Sequence, residues 1–114
     1  MTPLDLAPVA ELRALLTGAG IRNAEDPAQL TPPGVLVQLQ AFTQTTLDGL
    51  QLSTRLFCVV PDQDHERASA ELVGLVNTVL TVLDPDGPIT TASVVLPGDP
   101  ARLPALSIPL NLYT

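Results

Sequence analysis

The sequence predicts an α+β domain, a four-stranded, mostly antiparallel sheet with two helices packed on one face, in the order α-β-β-α-β-β. Three observations predict it. Residues 62–83, DQDHERASAELVGLVNTVLTVL, place Ala68, Leu72, Leu75, Val76, Val79, Leu80 and Leu83 at steps of three and four, the spacing of a helix with one apolar stripe. Two alternating runs, 35–43 and 50–60, are joined by a segment containing Asp48-Gly49, a hairpin turn signal. Two further strand-like runs, the second of them alternating, follow the turn residues Asp84 to Pro88.

The first element is a helix within Pro3 to Thr17, with its start expected near Pro8. Val9, Leu12, Leu15 and Leu16 have helical spacing, Pro8 is tolerated in a first turn, and Gly18 and Gly20 supply a stop. Residues 20–34, GIRNAEDPAQLTPPG, are dense in turn formers and lack a period. They predict an ordered connection or a short extended segment, with Pro32-Pro33 in polyproline-like geometry. So long a connection in so small a domain is expected to pack against its own sheet or a neighbouring subunit.

In the first strand Val35, Val37, Leu39 and Ala41 face one way, and Leu36, Gln38, Gln40 and Phe42 the other. In the second, Leu50, Leu52, Leu56, Cys58 and Val60 oppose Gln51, Ser53, Arg55, Phe57 and Val59. The long helix is expected to be capped by Asp62 or Asp64, with Glu66 complementing the dipole. Pro85 disfavours helical geometry at Asp84 and stops it. Gly74 and four valines make this helix intrinsically weak, so packing must hold it. Burying six or seven apolar side chains contributes roughly 10 to 15 kcal/mol before entropy is subtracted. The third strand is 89–96 and the fourth 105–113, where Pro109 predicts an edge strand or a position with no ladder bond on its N–H side.

Composition narrows the function classes. With 114 residues the chain suits one domain, 1–114. It is expected to begin near Met1, without an export signal, lipidation motif or membrane span. A net charge of −7 with 5 Lys+Arg disfavours nucleic-acid binding, which needs clustered cations. The single cysteine fits a reducing compartment, and the basic residues are all arginine, a bias expected of a GC-rich genome. Aromatic content of 3 % leaves too few rings for stacking platforms.

Chemistry is weakly written. Asp62, Asp64, His65 and Glu66 have metal-ligand side chains, but adjacent helical residues diverge by about 100°, and the ordinary reading is a solvated first turn. Cys58 lies on the apolar parity of its strand, away from the sole histidine, which favours a buried structural thiol over a nucleophile. No catalytic, cofactor-binding or metal-binding residues are predicted, and no enzyme. Interaction remains, because sheet edges carry unpaired backbone groups that a protein must protect or use.

The order of segments resembles one family. The helix LRALLTGAGI, the loop Asp26-Pro27-Ala28-Gln29-Leu30-Thr31-Pro32-Pro33, the strands GVLVQL and LFCVVP, the helix to Leu83 and the closing LSIPLNLYT together resemble the tail terminator proteins of long-tailed bacteriophages. The resemblance is closest to tail terminators and head-tail completion proteins from phages of GC-rich hosts. It implies a structural virion protein at the head-tail junction, assembled in host cytoplasm, with no catalytic residue or cofactor to carry over. Such proteins form a homo-oligomeric, hexameric ring that contacts the major tail tube protein, stops tail polymerisation and meets head-tail connector proteins. Intersubunit or tube contacts are expected from Thr43, Gln44, Thr45, Thr46, Leu47 and Asp48 at the hairpin tip, and from Asp26, Leu30, Pro32 and Pro33. The alternatives are a neck or head-completion protein of the same joint, or a small ligand-binding domain or enzyme using Cys58 or the Asp62 to Glu66 cluster.

Overall fold

The computed structural model describes residues 6–44, 49–98 and 102–113. Helix α1 spans Ala7–Gly18 and buries Val9, Leu12 and Leu16. Its end is a left-handed glycine stop. Gly20 has φ +78°, its N–H donates to the Thr17 carbonyl at 3.0 Å, and the Ile21 N–H donates to the Leu16 carbonyl at 2.9 Å. The two bonds satisfy carbonyls that the helix itself leaves open, and Ile21 joins Leu16 in the core.

Five strands follow: β1 (Asn23–Ala24), β2 (Gly34–Gln44), β3 (Leu50–Val59), β4 (Thr90–Val94) and β5 (Leu103–Tyr113). They form one mixed sheet in the order β1-β2-β3-β5-β4. The expected fold class holds as α+β with two helices, while the sheet differs in two ways. First, it has a fifth strand inside the expected connection. Asn23 and Ala24 pair in parallel with Val35 and Leu36, and a 3-10 turn over Pro27–Gln29 follows. Two residues are too short for any period to reveal. The Pro32–Pro33 peptide bond is cis, not the polyproline-like geometry expected there.

Second, β5 is an interior strand, paired with β3 on one side and β4 on the other. Pro109 is accommodated because β4 stops at Thr90, opposite Ser107, so Pro109 lies past its end. There the backbone N–H of Asp86 donates to the Pro109 carbonyl at 2.9 Å. The antiparallel β2–β3 hairpin forms as expected, with a bulge between Leu39 and Ala41.

Helix α2 spans His65–Val79, with Asp64 as its cap: the Asp64 carboxylate accepts from the Arg67 N–H at 3.0 Å. It stops before the expected Leu83. Thr78 donates its hydroxyl to the Gly74 carbonyl at 2.9 Å and Thr81 donates to the Thr78 carbonyl. The Thr81 and Val82 N–H groups then bond three residues back, tightening the chain out of the helix.

Both helices cover one sheet face. Val35, Val37, Leu52, Leu56, Cys58, Ile108 and Leu110 meet Val9, Leu12 and Leu16 from α1 and Val76 and Val79 from α2 in one cluster. At the other end of α2, Ala68 and Leu72 pack on Val60. The opposite face is split. Its upper half is apolar, with Leu36, Val59, Leu103 and Ala105 sealed by Leu30 and Leu96 from two loops. Its lower half carries Gln38, Arg55, Ser53 and Asn111, which are not fully buried. The buried Thr54 hydroxyl donates to the Leu110 carbonyl at 2.7 Å, and Arg55 donates to the Ser107 hydroxyl at 2.9 Å.

Candidate interaction surfaces

The residues with chemical potential are dispersed. Cys58 is fully buried on the helix-covered face, and desolvation pushes its thiol from the ordinary 9.0 up to about 12. A thiol held protonated in an apolar core is a poor nucleophile. His65 is the first residue of α2 and is exposed. Its neighbour Asp64 is engaged as the helix cap and lies 3.4 Å from the Arg67 guanidinium. Among the described residues, no group of three or more His, Cys, Asp or Glu side chains gathers closely enough to hold a metal ion. No helix among them is long and apolar enough to cross a membrane.

The residues expected at contacts fall into two groups. Thr43 and Gln44 are exposed at the far end of β2, while Thr45, Thr46, Leu47 and Asp48 lie outside the described residues. At the near end, Asp26 accepts from the Ala28 N–H at 2.9 Å and caps the 3-10 turn. Pro33 is exposed and Pro32 half-buried. Leu30, by contrast, is only 7 % exposed and seals the second core cluster of its own subunit. The two groups sit at opposite ends of an eleven-residue strand, roughly 30 Å apart at about 3.3 Å per residue. They are two surfaces, not one site.

Two further features escape the sequence patterns. Leu15 has the spacing of a core residue yet is 54 % exposed, on a groove shared with Leu12, Leu83, Leu112 and Tyr113. The second is the pair of sheet edges. Adjacent β-residues turn their backbone groups to opposite sides, so direction is read from a few bonds. Val35 donates outward to Arg22 at 2.8 Å, so Val37 and Leu39, before the bulge, also turn outward. Pro109 accepts on the β4 side and Leu110 on the β3 side. Ser107, Ala105 and Leu103 therefore bond to Thr90, Ala92 and Val94, leaving Thr91 and Ser93 with N–H and C=O turned outward. A notch of about 240 Å³ opens beside the β2 edge, lined by Leu6, Val9, Glu25, Val37, Gln38 and Leu39.

No protein-family model matches this chain, and no curated protein matches it. The class that the geometry defines is a two-layer α+β fold with open strand edges and well-separated exposed ends among the described residues.

Proposed function

We propose that this protein is a structural virion component, a tail terminator that forms a homo-oligomeric, hexameric ring on the last ring of the tail tube, ends tail polymerisation and joins the tail to the capsid. The observation that carries the reading is the resemblance of segment order along nearly the whole chain. The helix LRALLTGAGI, the DPAQLTPP loop, GVLVQL, LFCVVP and LSIPLNLYT fall in or across α1, the β1–β2 connection, β2, β3 and β5 respectively.

Two properties of the molecule support it. Its exposed candidate contact regions lie at opposite ends of β2, as suits a subunit that meets the major tail tube protein on one side and head-tail connector proteins on the other. The side chains with chemical potential serve structure: Asp64 caps a helix and Cys58 fills the core.

The test is light scattering of the purified protein, alone and with tail tubes, together with complementation of a tail-length defect. A ring that binds tube ends supports the reading. A strict monomer that binds no tubes and restores no tails removes it. Binding to portal-bearing capsids and not to tails would replace it with a neck or head-completion role.

A further inference from the structure

We infer that copies of this chain join head to tail through their sheet edges, the outer edge of β4 on one copy adding to the outer edge of β2 on the next. The inference deepens the ring reading and rests on it for closure of the ring.

Strand polarity comes first. β2, β3, β5 and β4 alternate in direction across the sheet. A second copy laid alongside in the same orientation therefore presents its β2 antiparallel to the first copy's β4, and the alternation continues unbroken. An interface of this kind is heterologous, the type that closes into rings.

The second argument is register. On β2 the two residues of β1 occupy the outer side at Val35 and Leu36, and the bulge begins after Leu39. Between them Leu39 presents both of its backbone groups outward and Val37 its carbonyl, since the parallel register turns the Val37 N–H to the Ala24 carbonyl. On β4 the outward residue nearest its end is Ser93, and the alternation runs on through Val95, because Leu96 returns to the core on the same face as Val94. Placing Ser93 opposite the neighbour's Leu39 lets Ser93 and Leu39 exchange both N–H···O=C bonds. It sets Val95 opposite the neighbour's Val37, where the Val95 N–H meets an outward carbonyl. In this register β4 itself, which ends at Val94, stops short of the neighbour's β1, and Val95 comes beside Glu25, which follows it.

Side-chain complementarity agrees with it. Val95 is 56 % exposed in the single subunit. Its parity puts it on the helix-covered face, the face of Val37 and Leu39, where the notch also contains Leu6 and Val9, with Glu25 and Gln38 at its polar side. In this register Val95 enters that notch as an apolar plug. The two strands themselves carry no charge, β2 reading GVLVQLQAFTQ and β4 TTASV, with Glu25 the charged group beside the β2 edge. In a chain of net charge −7, strands without Asp, Glu or Lys lack the charged gatekeepers that normally keep copies apart.

The experiment uses the full chain carrying Leu39→Cys and Ser93→Cys. Within one subunit these positions lie three strand spacings apart, about 14 Å across the sheet at roughly 4.8 Å each, and are offset along it by the distance from Leu110 to Pro104, about 20 Å at roughly 3.3 Å per residue, too far for a disulfide. Across the proposed junction they face each other at about 5.5 Å between Cα atoms, within disulfide range. Mild oxidation at high protein concentration is expected to give a ladder of covalent multimers on a non-reducing gel, absent from either single variant. The companion is Val95→Glu, which sets a second carboxylate beside Glu25 and against Leu6 and Val9 in the notch. It is expected to keep the native melting temperature and circular dichroism while shifting the assembly to monomer in sedimentation velocity.

An assembly that persists in Val95→Glu and yields no cross-linked ladder overturns the edge junction while leaving the ring reading in place. Cross-linking of single Ser93→Cys into dimers overturns it in favour of two-fold pairing of β4 edges. A monomer that never cross-links also overturns it, leaving the notch to some other segment. A ladder that forms in a protein unable to bind tubes or restore tails keeps the junction and discards the tail terminator.

Discussion

The carboxylate of Asp86 accepts a hydrogen bond from the backbone N–H of Asn111 at 2.7 Å, two residues beyond the point where the Asp86 N–H donates to Pro109. One loop residue thus continues the ladder of β5 after β4 has ended. The loop passes close to the strand here, and a Cβ on Gly87 would lie 3.1 Å from Cγ of Pro109, tight enough that the proline ring must shift by a few tenths of an ångström. Asp86→Ala should lower stability by about 1 kcal/mol, the usual scale of a single hydrogen bond. Urea denaturation measures this, and faster amide exchange at Asn111 should accompany it.

The stop of α1 makes a second prediction. Gly20 holds φ +78° with open space where a Cβ would sit, so Gly20→Ala costs only its backbone strain, about 1 to 2 kcal/mol. Gly18, with equal space and no positive φ, should accept alanine without loss. Paired thermal melts of the two variants check the difference.

Helix α2 separates core from surface within two turns. Val79 is fully buried and Val73 is 55 % exposed. Val79→Asp should prevent folding, because a carboxylate there has no partner and loses its hydration. Val73→Asp should stay within roughly 0.5 kcal/mol of the parent, as surface substitutions usually do. Circular dichroism of both proteins decides it.

Cys58 gives a pH dependence whose sign is fixed by burial. The native thiol titrates near 12 against an ordinary 9.0, so between those values the native state holds a proton that the unfolded chain has lost. Its contribution to stability is complete below pH 9 and is lost as pH climbs toward 12. Cys58→Ala should flatten that decline in denaturation series. The native thiol should also resist labelling at pH 8 and react at once in denaturant.

Much of this architecture was legible because the pattern was long. The stripe of α2 and the alternation of β2, β3 and β5 extend over ten or more residues, enough to distinguish one period from the other. An acidic cap was legible as Asp62 or Asp64, since a short acidic side chain before an apolar periodic run has one common use, and the geometry chose Asp64. What stayed hidden was settled by partners distant in sequence. β1 exists because β2 offers it an edge. Pro109 pointed to a sheet edge or an unpaired N–H side, and only the length of β4 chose the second. Leu15 carried a core spacing, yet α1 lies so that Leu12 and Leu16 take the buried positions. The expected contact residues divided for the same reason: Leu30 was needed inside, whereas Asp26 and Thr43 stayed at the surface.

Because β5 is inserted between β3 and β4, the two halves of the sheet have nothing to join them until residues 103–113 have been synthesised. A nascent chain lacking them leaves Leu52, Leu56 and Cys58 without the strand that flanks them, so a truncation before Leu103 should precipitate instead of yielding a smaller domain. Closure of the sheet thereby waits on β5, and the β4 edge has no seat on the sheet until that strand is in place.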